Sequence, residues 1–250
     1  MSSLLLAVVF GLLIGLILGT IGGGGSILTV PILVYVLGMP AHQATATSLV
    51  IVGLTAVAGL LPHMHAGRVD VRRAALVGLA GVPGAMAGTC LNGLVEGWLL
   101  LGLFGLLMVG VGLLMLTKRS PVRRDEPARI RGLAPTLVTG FVIGVMTGFF
   151  GVGGGFLIVP ALTLVLGMAM PVAVGTSLLV IAINSGAAVL AHGIGSMGDP
   201  AIAILFAAGG VAGSLAGGRY GGRLEARWLE RGFAGLTIVL GVTLAAANLG

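Results

Sequence analysis

Charge is what this chain has least of. Asp, Glu, Lys and Arg together make up 8% of its 250 residues against 57% hydrophobic. With a mean hydropathy of +1.17, that composition excludes an ordinary soluble protein and leaves a polytopic membrane protein. Cysteine is nearly absent. Cys90 alone rules out an intrachain disulfide and any CxxC metal or redox motif, and its place inside a predicted helix points to packing. There is no Walker lysine motif either, so energy must come from an ion gradient or from the substrate's own gradient. The net charge of +6 suggests nucleic acid at first sight, but the basic residues sit in short loops beside apolar runs, with no soluble fold to present them. They read as topology signals, and no nucleic-acid partner, cofactor or metal is expected. No Lys or Arg precedes the first apolar run, so residues 1–20 read as mature structure rather than as a signal peptide.

What the chain does have is glycine, and a repeat. Gly151-Val152-Gly153-Gly154-Gly155-Phe156-Leu157-Ile158-Val159-Pro160 has a counterpart in Gly22-Gly23-Gly24-Gly25-Ser26-Ile27-Leu28-Thr29-Val30-Pro31, offset by 129. Without gaps, the same offset aligns Thr47-Ser48-Leu49 with Thr176-Ser177-Leu178, His63 with His192 and Asp70 with Asp199. Apolar segments that match by chance rarely keep Pro, His and Asp in register. A run of glycines costs roughly 1 kcal/mol per residue in a helix relative to alanine, so each run breaks the helix within apolar sequence. Irregular backbone at membrane depth is tolerated only where protein buries it or it lines a cavity, which makes both runs candidate sites.

The expected fold is all-α, with two inverted repeats, each a glycine-broken helical hairpin followed by three transmembrane helices. The first repeat, 1–116, holds a hairpin over 4–39 and helices at 44–62, 74–92 and 98–116. A basic cytoplasmic linker occupies 117–133. The second repeat, 134–250, holds a hairpin over 134–168 and helices at 173–191, 200–218 and 232–249. The first limb, about 4–20, spans ~25 Å as helix and the second, about 26–39, ~21 Å, both short of the bilayer. If each hairpin returns to the face it entered, Arg68 to Arg73, Lys118 to Arg131 and Arg219 to Arg231 all fall on one side. The positive-inside rule makes that side cytoplasmic and puts both termini outside.

With these residues in view, both halves resemble the TauE/SafE family of sulfite and organosulfonate exporters. The resemblance rests on the paired glycine turns with their downstream Val-Pro, on Ala46-Thr47-Ser48-Leu49 and Gly175-Thr176-Ser177-Leu178, and on His63, Gly67 and Asp70 beside His192, Gly195 and Asp199. It implies a secondary transporter of the bacterial cytoplasmic membrane, multi-pass, that exports small sulfur-containing anions or related acids. Ser26 departs from the glycine triplet of the second half.

The candidate substrate-binding residues are Gly22, Gly23, Gly24, Gly25, Ser26, Thr47, Ser48, Gly151, Gly153, Gly154, Gly155, Thr176, Ser177 and Asn184. Backbone amides at a helix start hold an oxyanion without a buried cation, and hydroxyls add donors. The competing reading is structural: glycines let helices pack closely, and Ser and Thr bond the carbonyl one turn back. Gly148, in the preceding helix, is expected to tolerate alanine. His63 and His192 end matched helices and are candidates for proton coupling, while Asp70 and Asp199 are expected to cap the helices that follow. Expected partners are a small anionic substrate and the bilayer, and a homodimer stays open. No enzymatic activity is expected. The alternatives are a passive anion channel and an intramembrane hydrolase using Ser26 and His63.

Overall fold

The computed structural model describes residues 2–117, 133–151, 155–192, 197–220 and 226–249. Every regular element among them is helical. In the first half, α1 (Ser2–Ile21) is followed by a tight turn over Gly23–Gly25, a short α2 (Ser26–Pro31), α3 (Ala41–His65), α4 (Val71–Asn92) and α5 (Gly97–Thr117). The second half runs α6 (Leu133–Phe150), α7 (Gly155–Pro160), α8 (Met170–His192), α9 (Pro200–Tyr220) and α10 (Ala226–Leu249). Each start in the first half, from α2 to α5, recurs 129 residues later. Seven of these helices are long and apolar enough to cross a membrane, α1 and α6 among them.

That last point corrects the expected hairpin. Thr20 and Ile21 join α1, which reaches 20 residues, about 30 Å, so the first limb is of crossing length. Only the second limb is short. Pro31 closes α2 and Pro160 closes α7, and each is followed by a widened π-helical turn, Ile32–Val36 and Ala161–Val165. Proline offers no N–H to the α-helical ladder, so the register slips there. The expected basic loop of 219–231 is also shorter, because α9 runs on to Tyr220 and α10 starts at Ala226.

The chain leaves α1 at Gly22, whose φ of 83°, like the 67° of Gly151, is a left-handed conformation that only glycine adopts cheaply. The α4 helix begins where Asp70 accepts a hydrogen bond from the Arg73 amide at 2.9 Å, and Asp199 Oδ1 accepts one from Ala201 at 2.8 Å. Both aspartates therefore cap as expected.

Small residues decide the packing. Gly11, Gly15 and Gly19 of α1 lie on the backbone of Phe206, Gly210 and Ser214, so α1 and α9 run parallel. Gly140, Gly144 and Gly148 of α6 repeat the contact on Val77, Gly81 and Ala85 of α4. Each first limb thus packs on a helix of the other half, at backbone distance, where lipid supplies no hydrophobic drive and close van der Waals contact must serve. A methyl on Gly148 would collide with the Ala85 carbonyl, which overturns its expected tolerance of alanine.

α3 and α8 form the centre. Of their apolar windows 72% and 61% are buried, against at most 44% for the other five spans. They run in opposite directions, since Gly53 lies against Ser185 while Gly59 lies against Leu178. One end of the bundle is therefore where α3 stops and α8 starts. Arg68, Arg72 and Arg73 lie there, and Arg219 joins them because α9 runs parallel to α3, Thr55 resting on Gly210 and Pro62 on Gly218. The opposite end carries no Lys or Arg among the described residues.

Candidate functional site

The central pair gathers the polar side chains that the hydrocarbon region would otherwise exclude. Thr45, Thr47, Ser48, Thr55 and His63 of α3, with Thr176, Ser177, Asn184 and Ser185 of α8, are at most 3% exposed. Among the described residues the buried polar groups are hydroxyl, amide or imidazole, with no ammonium or guanidinium.

The two glycine turns meet between these helices. Gly23 lies on the backbone of Gly155, and each leaves no room for a methyl on the other. Gly22 sits beside Ser177, where an added Cβ would fall 2.7 Å from the hydroxyl oxygen. Gly151 sits against Thr45, and its carbonyl accepts a hydrogen bond from Ser48. Gly25 folds back on Ile14 and Leu18 of α1. Gly24 lies within the same tight turn, whereas Gly153 and Gly154 fall outside the described residues. Each turn is thus seated on the central helix of the opposite half.

The hydroxyls divide into two groups. Ser26 donates to Gly23 at 2.7 Å and Ser177 to Val174 at 2.7 Å, each bonding its own turn or helix. Thr47 and Thr176 reach across instead. The Asp70 amide donates to Thr176 Oγ1 and the Gly198 amide donates to Thr47 Oγ1, both at 3.0 Å. The loop after each central helix is thereby fastened to the start of the other central helix.

His63 ends up far from solvent. It is 3% exposed, and its Nε2 pairs with the Gly19 carbonyl at 2.9 Å, tying α3 to the last turn of α1. His192 Nδ1 lies 3.1 Å from both Thr89 Oγ1 and the Ala188 carbonyl. Ser26 and His63 therefore each engage a backbone carbonyl rather than one another. Asn184 falls two turns beyond Ser177 and rests on Gly81 of α4.

Sequence reasoning missed a further polar set at the end without basic residues. His42 Nδ1 lies 3.0 Å from Asn92 Oδ1, and Asn92 Nδ2 donates to the Phe149 carbonyl at 2.7 Å. Asn92 was legible only as a polar residue ending an apolar helix. Its partner, a carbonyl just before the second glycine turn, is 57 positions away.

The TauE/SafE sulfite exporter family matches residues 7–244. The chain belongs to that family. A probable membrane transporter protein of Xylella fastidiosa strain 9a5c is 40% identical over 213 residues, 84% of this chain and 82% of the relative. Its counterpart in strain Temecula1 is 38% identical over 246 residues, covering 96% and 94%. The probable membrane transporter protein YunE of Bacillus subtilis is 27% identical over 213 residues, 76% and 78% of the two chains. No solved structure matches the chain significantly. Membership and the apolar helices together make this a membrane protein of a transport family.

Proposed function

We propose that this family member is a secondary transporter of the bacterial cytoplasmic membrane that exports a small oxyanion, sulfite or a related acid, by alternating access. The observation that carries the reading is the pair of crossed fastenings, Asp70 to Thr176 at one end and Gly198 to Thr47 at the other. They join the matched threonines, Thr47 and Thr176, to loop amides one position out of register, in two halves whose central helices run antiparallel. An inverted repeat supplies that arrangement, in which one half gates the inside and the other the outside.

In this reading the end holding Arg68, Arg72, Arg73 and Arg219 faces the cytoplasm. Both fastenings are closed at once, with the glycine turns pressed together, and this reading takes that arrangement as an occluded state. Substrate enters when one fastening releases and the turns part, exposing backbone amides and the hydroxyls of Ser48 and Ser177. The deciding experiment is counterflow in proteoliposomes with sulfite, sulfate, thiosulfate and simple sulfonates. A carrier saturates and shows counterflow, whereas a flux that rises linearly with concentration and carries current identifies a channel.

A further inference from the structure

The two halves differ at one central position, and the difference bears on the chemical form of the substrate. Thr55 and Asn184 occupy matched places, 129 apart, and face matched glycines, Gly210 and Gly81. Thr55 satisfies itself, its hydroxyl donating to Ile51 one turn back at 2.6 Å. Asn184 does not. It is completely buried, and neither its Nδ2 nor its Oδ1 has a hydrogen-bond partner. The matched contact in the other half is made by a threonine that satisfies itself, so the amide is a costly group here: an unmet buried donor or acceptor loses its hydration with nothing in return.

An amide has two demands, an acceptor for its N–H and a donor for its carbonyl oxygen. A fully ionised oxyanion meets only the first and sets negative charge against Oδ1. An acid group of the form X(=O)–OH meets both in one cyclic pair. The surroundings favour the same form, because no buried cation is present among the described residues and a lower charge is cheaper to desolvate. We infer that Asn184 selects a protonated oxyacid, hydrogen sulfite or a comparably protonated small acid, over sulfonates and doubly charged anions. The proton then crosses on the substrate itself.

The titratable side chains of the helices packed here lie toward helix ends. These are His42, His63 and His65 on α3, Arg72, Arg73 and Cys90 on α4, and His192 on α8. None sits at the level of Asn184, so the proton in question belongs to the ligand.

This inference rests on the transporter reading and narrows its substrate. The test measures binding to the purified full chain in nanodiscs, with sulfite and methanesulfonate as probes, from mildly acidic to mildly alkaline pH. Sulfite affinity should follow the hydrogen sulfite fraction, falling roughly tenfold per pH unit above that ionisation. Methanesulfonate, which has no O–H, should bind at least about tenfold more weakly with a flat pH profile, since the amide goes half unmatched. Asn184→Leu should bring the two affinities together. Equal, pH-independent affinities in the unmodified protein overturn the inference and leave the transporter reading standing. So does an Asn184→Leu variant that keeps the sulfite preference. If neither probe binds or exchanges across liposomes while the protein stays folded, the substrate reading fails and takes this inference with it.

Discussion

Among the described residues, the two ends of the bundle carry the same fastening with unequal reinforcement. At the basic end, Thr176 holds the Asp70 amide and His63 holds the Gly19 carbonyl. At the opposite end, Thr47 holds the Gly198 amide, and further ties join it: Ser48 to Gly151, Asn92 to both His42 and Phe149, and Thr89 to His192. Ser48 and His192 have polar counterparts in Ser177 and His63, but His42, Thr89 and Asn92 have none. Positions 129 beyond His42, Thr89 and Asn92 are Pro171, Gly218 and Gly221. A duplicated skeleton therefore gives the two ends the same fastening, while a few side chains outside the repeat set which end is tied more firmly. In the proposed reading, with the basic end inside, the outer gate is the more firmly closed, as export from the cytoplasm would require.

The largest way to break this arrangement is to disturb the skeleton that both ends share. Gly144→Ala drives a methyl into the backbone of Gly81, and should lower stability by about 2–4 kcal/mol, with loss of transport. Gly186→Ala meets nothing within 4 Å, so it should be neutral or gain up to about 1 kcal/mol of helix propensity. Melting temperatures of the two variants in detergent check the pair. Similar behaviour of both would mean that the close helix contacts do not carry the fold.

Much of the skeleton was legible in the sequence because it repeats. The glycine turns, Pro31 with Pro160 and the helix starts all follow from the 129-residue offset. The capping roles of Asp70 and Asp199 were also readable, since a cap is a local interaction. Partners distant in sequence were not. Nothing near Gly148 in the chain reveals that Ala85 lies across from it, nor that His63 would turn inward to the Gly19 carbonyl instead of toward solvent. Helix length misled as well: Thr20 and Ile21 look like the approach to a turn, yet they complete the first limb.

Removing the reinforcement comes next in size. Asn92→Ala leaves the Phe149 carbonyl without its donor and His42 without its partner, a cost of about 1–3 kcal/mol concentrated at the end without basic residues. Hydrogen exchange should quicken around Gly151 and Gly198 while the Asp70 amide stays protected. Uniform quickening at both ends would remove the distinction between the gates.

Thr176→Val and Thr47→Val sharpen the comparison further, each deleting one acceptor worth about 0.5–1.5 kcal/mol. The first should free the Asp70 amide and the second the Gly198 amide, each sparing the other, as hydrogen exchange can record. The smallest effect belongs to Thr55→Val. Its hydroxyl bonds only its own helix, so stability and substrate preference should shift by less than about 0.5 kcal/mol.

All of this requires the two ends to face opposite sides of the membrane, and cysteine labelling in intact and opened cells tests that directly. In a Cys90→Ala background, single cysteines at Arg72 and Arg219 should react only from the cytoplasm, and those at Glu96 and Asp199 only from outside. Labelling of positions 72 and 219 from opposite faces would contradict the account, because each hairpin would then count as a single crossing and the two halves would not be inverted.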